Sequence, residues 1–412
     1  MRKIILLTLA SGIIFNLSAQ STRQKKALFI IADGIPADVF KKVSTPVLDT
    51  IAKAGAWLHA YVGGEKGGYS QTPTISAVGY NSLLTGTWVN KHNVRDNDIV
   101  APNYSYQTIF RLFKDQFPDK KIAIYSTWLD NRTKLVGDEL PQTGLIKVDY
   151  HFDGLELDTL KFPHDNEGWY IHLIDEEVAN RAAAAIRREA PDLTWVYLEY
   201  TDEMGHLHGN SEKLYGAVKM MDEQVKRVWE AIQYREQNFK EDWVIYITTD
   251  HGRDSITGNN HGGQSDRERN TWIITNANNI NPWFLKNAPG IVDIMPSIAS
   301  HLNIAIPRER SMEIDGIPLT GKLFASDLGV VYENKHLVIT WKAIDKKSKA
   351  KIWLAATNEF KTGGSDQYQM VKETVLSKEK EIIDIGKMPP SSFYKIVLET
   401  PGHFLNRWVI LK

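Results

Sequence analysis

The sequence predicts an α/β protein: a mostly parallel sheet flanked by helices, followed by a small C-terminal antiparallel β-sandwich. Three observations point there. Short apolar, β-branched runs alternate with amphipathic helical patterns over most of the chain, the order that builds parallel βαβ units. After Asp315-Gly316-Ile317-Pro318-Leu319 the runs turn short, alternating and turn-separated. At 412 residues the chain also exceeds one ordinary domain, leaving room for a large core and an accessory module.

The elements follow in order. Residues 1–19 have the pattern of an export leader: Arg2 and Lys3 precede an apolar run from Ile4 to Leu17, and Leu17-Ser18-Ala19 offers a small-residue cleavage site. That run is shorter than the ~20 apolar residues of a spanning helix, and it contains Ser11, Gly12 and Asn16. No other segment is long and apolar enough to cross a bilayer. A first domain is expected over 25–322, with strands at 27–32, 121–125, 194–200, 244–248 and 271–275. Its helices are expected at 46–54, 106–117, 174–189, 211–233 and 291–302, with Asn210-Ser211 capping the fourth. Over 328–412, runs such as HLVITWKA, KAKIWLAAT and FYKIVLE suit an antiparallel sandwich, with Trp341, Trp353 and Trp408 in its core. No acidic or histidine cluster gathers there, so the chemistry belongs to the first domain.

Composition excludes several classes. The net charge is −1, and loss of Arg2 and Lys3 with the leader brings it to about −3. That balance leaves no electrostatic footprint for a nucleic-acid duplex or an anionic membrane. There is no cysteine, hence no disulfide, no thiolate metal site and no cysteine lipidation. Any metal must be held by His, Asp and Glu.

Acidic and histidine residues gather just after predicted strands, where ligands bind in a parallel α/β sheet. Asp33 follows ALFIIA; Asp202 and His206 follow WVYLEY; Asp250 and His251 follow WVIYITT; His261 comes ten residues later. Singly, each fits a turn, a helix cap or a surface residue. Three such segments together point instead to a metal site. Carboxylate and neutral imidazole suit zinc, and two metals ~4 Å apart can serve attacking and leaving oxygens at once. In TPTISAVGYNSLLTG, Ser76 opens a helix running to about Leu84, after the Gly-rich loop GGEKGGYS. A hydroxyl there faces unpaired N–H groups and the positive end of the helix dipole, which favour a phosphoryl group. The loop lacks the Gly-Lys-Ser/Thr of a P-loop.

These motifs in this order resemble the alkaline phosphatase superfamily, most closely its nucleotide pyrophosphatase/phosphodiesterase branch. The resemblance rests on Asp33, Ser76 with Thr85-Gly86, Asp202-x-x-Gly205-His206, Asp250-His251-Gly252 and His261, and runs from about Lys26 to Gly321. It implies an alkaline phosphatase-like fold and a hydrolase of small phosphate esters with a phosphoserine intermediate, which the leader at 1–19 would make an exported protein, periplasmic or secreted. It implies two Zn2+ (or another divalent metal), one on Asp202, His206 and His261, the other on Asp33, Asp250 and His251 with the attacking Ser76 Oγ. Asn97 falls where that branch places an amide for a non-bridging phosphate oxygen, and Trp128 where it places an aromatic near the leaving group.

The departures bear on substrate. The branch usually carries Thr, an aromatic and Pro at the nucleophile; this chain has Ser76-Ala77-Val78, closer to serine phosphomonoesterases. Thr72 and Thr74 are nearby hydroxyls, but the spacing to Thr85-Gly86 favours Ser76. A dianionic monoester needs extra positive charge, for which Arg132 and Lys134 are the candidates. A sulfatase would need a Cys/Ser-x-Pro/Ala-x-Arg motif, and positions 78 and 80 are Val and Tyr. An inactive binding protein would typically have lost ligands that are all present here.

Overall fold

A run such as ALFIIA has no polar face, so it is stable only where both sides are covered. In the computed structural model, which describes residues 23–386, 388 and 390–411, it lies in strand β1 (Gln24–Ala32), inside a seven-stranded sheet. The leader expected over 1–19 falls outside the described residues. The other strands are β2 (Ala56–Tyr61), β3 (Ile122–Ser126), β4 (Tyr150–Phe152), β5 (Leu193–Leu198), β6 (Glu241–Thr248) and β7 (Asn270–Thr275). Their order is β2-β7-β6-β1-β5-β3-β4. From β6 to β4 all neighbours are parallel, whereas β7 pairs antiparallel with both β6 and β2.

All five expected strands form. The segment at 271–275 runs against its neighbours, a direction that a run of apolar residues cannot encode. Strands β2 and β4 were not expected. The second is three residues long, and the first begins two residues after a helix ends, too close for a separate pattern to stand out.

Successive strand residues point to opposite faces. Phe29 and Ile31 therefore enter one apolar cluster, Leu28, Ile30 and Ala32 the other. The second cluster is closed by α1 (Pro46–Ala54), α5 (Trp169–Arg188) and α7 (Glu212–Asn238), through Ile51, Val178 and Val225. The first is closed by α2 (Ser76–Thr85), α4 (Ile109–Gln116) and α9 (Ile294–His301), through Leu83, Phe110 and Ile298. Short helices α3 (Val89–His92), α6 (Tyr200–His208), α8 (Asp266–Arg269) and α10 (Arg308–Ser311) fill the connections.

Caps explain where helix ends depart from expectation. Helix α4 starts at Ile109 because the Thr108 hydroxyl accepts from Arg111 N–H. Asp165 accepts from the N–H groups of Trp169 and Tyr170, both at 3.0 Å, and so starts α5 ahead of the expected 174. Ser211 caps α7 as expected, accepting from Leu214 N–H, and the helix runs on to Asn238.

After 322 the chain forms two antiparallel sheets. One joins β11 (Gln369–Val375), β10 (Lys349–Ala355), β13 (Phe393–Glu399) and β14 (Phe404–Ile410). The other joins β12 (Lys380–Asp384), β9 (His336–Ala343) and β8 (Ala325–Glu333). Trp341 and Trp408 are buried. Trp353 is only half-buried, with the Arg308 guanidinium stacked 4.3 Å above its ring. Both sheets share the first apolar cluster, which runs unbroken from Phe29 through Ile298 to Ile339 and Ile396.

Candidate active site

Three parallel strands deliver the acidic residues to one edge of the sheet. Asp33 directly follows β1; Asp250 lies two residues past β6; Asp202 lies in the first turn of α6, after β5. Two compact groups result, Asp33 with Asp250 and His251, and Asp202 with His206 and His261, each with its donor atoms mutually within 4.8 Å. The rings of His251 and His261 stack at 3.7 Å, so the groups are neighbours. Sequence alone places these six side chains across some 230 residues; the fold brings all six together.

The donor chemistry shows what the groups fit. His251 Nδ1 faces the Gly252 carbonyl at 2.9 Å, so it carries the proton and Nε2 presents a lone pair. That lone pair lies 3.3 Å from both Asp33 Oδ1 and Asp250 Oδ2, two buried oxygens without a hydrogen-bond partner. His261 Nδ1 likewise faces Thr74 O at 2.8 Å, turning its Nε2 toward His206 Nε2 at 3.1 Å. Lone pairs and carboxylate oxygens facing one another repel unless a cation lies between them. Both groups fit a divalent metal.

Charge is uneven between them. Burial and then the Asp202 charge push the Asp33 carboxyl up to about 7, while burial and then Asp33 raise Asp250 well above the carboxylate range. Burial, then His261, holds His251 neutral, far below the usual imidazole value. Burial opposes the Asp202 charge too, but Arg253 and the facing imidazoles outweigh it and hold that carboxyl below the ordinary range. The hydrogen bond to Asp202 raises His206.

Ser76 is the first residue of α2, with its Oγ 3.3 Å from His251 Nε2. The helix comes this close because Gly79 has no side chain: a Cβ there would meet Asp250 O at 2.7 Å. The competing hydroxyls are engaged elsewhere. Thr72 Oγ1 donates to Ser70 O at 2.8 Å, and Thr74 Oγ1 donates to Gly263 O at 2.9 Å. Asn97 lies beside α2, its Oδ1 accepting from Ala77 N–H at 3.0 Å. Trp128 is partly buried, edge-on to Tyr80 with ring centres 6.4 Å apart.

Three residues were not anticipated. The hydroxyls of Tyr80 and Tyr197 both donate to Asp33 Oδ2, the latter at 2.7 Å, which leaves Oδ1 as the free donor atom. Tyr80 follows Ser76 by four residues on one helix, a spacing that would have put it on the same face. Arg253, wholly buried, contacts Asp202. It sits directly after Asp250-His251-Gly252, and that place beside the ligand motif was the signal available. The two cations considered for a phosphate dianion are bound away: Arg132 pairs with Asp153 and Asp138 at 2.6 Å, and Lys134 with Asp130 at 2.8 Å.

A family model for type I phosphodiesterase/nucleotide pyrophosphatase matches residues 27–281. The chain belongs to that family. Among curated proteins it is similar to the 2,3-bisphosphoglycerate-independent phosphoglycerate mutase of Mycoplasma mycoides, 26% identical over 137 residues. That match takes in 33% of this chain and only 25% of the relative's length. A putative sulfatase from Bacteroides thetaiotaomicron is similar in structure, with a TM-score of 0.52 at 14% identity over 88% of this chain and 86% of that one. So is a 2-O GAG sulfatase, with a TM-score of 0.50 at 13% identity over 88% and 85%. At such identities these likenesses establish a shared fold.

Proposed function

We propose that the chain is an exported phosphoric diester hydrolase that uses Ser76 as nucleophile beside two divalent metals. The observation that carries this is the Ser76 hydroxyl at the start of α2, next to two groups of inward-facing donors, the nearer with two buried carboxylate oxygens that have no hydrogen-bond partner. Three carboxylates and three imidazoles suit zinc. Asp33, Asp250 and His251 would hold one ion, and Asp202, His206 and His261 the other. The metals, when bound, supply positive charge that lowers the hydroxyl's pKa and steadies the phosphoryl oxygens.

The chain's own residues do the rest. Ser76 releases its hydroxyl proton to water as its Oγ forms a bond to phosphorus and the ester P–O bond breaks. The departing alkoxide takes up a proton from water, so no net proton is gained or lost. Water then cleaves the phosphoseryl bond, which restores the hydroxyl and releases the phosphate monoester. The Asn97 Oδ1 is tied to Ala77 N–H, which leaves its amide N–H groups free to donate to a non-bridging oxygen. Trp128 offers an aromatic face to the leaving group. The leader-like segment at 1–19 supports export.

A diester is favoured over a monoester because Arg132 and Lys134 are paired with Asp153, Asp138 and Asp130, and Arg253 is buried against Asp202. A second negative charge on the substrate would find no free guanidinium in Arg132 or Arg253, and in Lys134 only a half-exposed ammonium already shared with Asp130. The test compares kcat/KM for bis-p-nitrophenyl phosphate and p-nitrophenyl phosphate, in wild type and Ser76→Ala. Expected is a diester preference of at least ~10-fold, and in the variant loss of turnover by ~1,000-fold or more with metal content unchanged. A monoester preference of ~100-fold, about 2.7 kcal/mol of transition-state discrimination, would overturn the diesterase reading.

A further inference from the structure

Arg253 is the least expected charge in the molecule: fully buried, beside groups that should attract cations. Each guanidinium nitrogen is engaged. Nε donates to Gly34 O at 3.0 Å, next to Asp33. Nη1 donates to Asn259 O at 3.0 Å and Gly258 O at 3.4 Å, in the loop leading to His261. Nη2 donates to Asp202 O at 2.6 Å and also to Asp202 Oδ1. One side chain therefore ties together the turn after β1, the first turn of α6 and the loop that carries His261.

Space is reserved for it. A Cβ at Gly205 would collide with the guanidinium, which gives the glycine of the Asp202-x-x-Gly205-His206 motif a packing reason. The contact also divides the work of the Asp202 carboxylate. Oδ1 is held by Arg253, and Oδ2 is left 3.1 Å from His206 Nε2, on the side of His261. Arg253 reaches the Asp33 group only through the Gly34 carbonyl and touches neither of its carboxylates, which are held by Tyr80, Tyr197 and Gly34 N–H.

We infer that Arg253 is a positioning residue that assembles one of the two metal sites, the Asp202–His206–His261 site, and leaves the Asp33–Asp250–His251 site largely independent of it. The inference rests on the two-metal reading above. Without the brace, the loop bearing His261 keeps its bonds to Thr74 but loses those to the guanidinium, and Asp202 loses the partner of its Oδ1, so the carboxylate is free to turn away from the cation.

The test is zinc binding, not turnover. Metal-free wild type, Arg253→Gln and Arg253→Lys are titrated with zinc against a chromophoric chelator, and zinc per chain is counted by elemental mass spectrometry. Wild type should take two ions. Arg253→Gln should keep one at wild-type affinity and bind the second ~10–100-fold more weakly, the usual effect of removing a group that orients a metal ligand. Arg253→Lys should fall between, because an ammonium reaches Asp202 but cannot span the carbonyls. Both sites within about threefold of wild type in Arg253→Gln, or equal weakening of both, would overturn the inference. If Arg253→Gln does not fold, Arg253→Lys decides by the same criterion. A wild type that takes up no zinc would instead overturn the two-metal reading.

Discussion

In the proposed mechanism Asn97 and Asp33 would each act through the atom left free. The Asn97 Oδ1 is committed to Ala77 N–H, so the side chain is oriented by α2. Asn97→Ala should lower kcat by ~10–1,000-fold through loss of one phosphate-oxygen donor, while zinc content holds; less than a twofold change would make it a turn residue only. At Asp33, burial and then Asp202 raise the metal-free carboxyl to about 7, and burial and then Asp33 raise Asp250 well above the carboxylate range. Below about 7 the empty protein holds protons that a metal must displace, so affinity is lost as pH falls. Each displaced proton is worth tenfold per pH unit, so the apparent zinc Kd should rise at least ~10-fold from pH 8 to pH 6. A flat Kd over that range would show that both carboxyls are already ionised in the empty site. Complete chelation should abolish turnover, and added zinc restore it.

Helix α2 is the element on which the site depends, and every one of its residues is buried. It is backed by His92 at the end of α3, fully buried, whose Nδ1 accepts from Val94 N–H at 3.1 Å while Nε2 meets Ser82 Oγ at 3.1 Å. Protonation would destroy the first bond and bury a charge; burial, then Arg95, depresses the ring to about 3. The unfolded chain takes up that proton near pH 6.5 and the folded chain refuses it. Stability is therefore intact above about 6.5 and declines as pH falls toward 3. At pH 4.5 the loss from His92 alone is ~2–3 kcal/mol. The urea midpoint should drop between pH 7 and 4.5, and drop less in His92→Gln. Equal acid sensitivity in the two proteins would clear His92 of that role.

Across the whole molecule, the C-terminal sheets are welded to the part that carries the site. Lys395, on β13, is buried between Glu313 at 2.8 Å and Asp366 at 2.6 Å. Lys91, on α3, reaches Asp315 at 2.6 Å and Asn406 of β14 at 2.7 Å. Buried charges are tolerated only when paired, so removing one partner strands the others. Lys395→Met should cost ~3–5 kcal/mol in chemical denaturation, far beyond the ~0–1 kcal/mol of an exposed pair such as Lys66–Asp266. A loss below ~1 kcal/mol would mean the joint rests on apolar packing alone.

The sequence by itself determined that β1, β3, β5, β6 and β7 exist, that Ser76 opens a helix, and which carboxylates and imidazoles could serve a metal. Those features are local: apolar runs, caps and polar residues placed just past strand ends. Tertiary structure decided what depends on contacts between distant segments. It set β7 antiparallel and gave Asp33 its two tyrosine partners. It paired Arg132 and Lys134 with Asp153, Asp138 and Asp130, and placed Arg253 against Asp202. A charge's role follows from its neighbours in space, and chain order does not specify those neighbours.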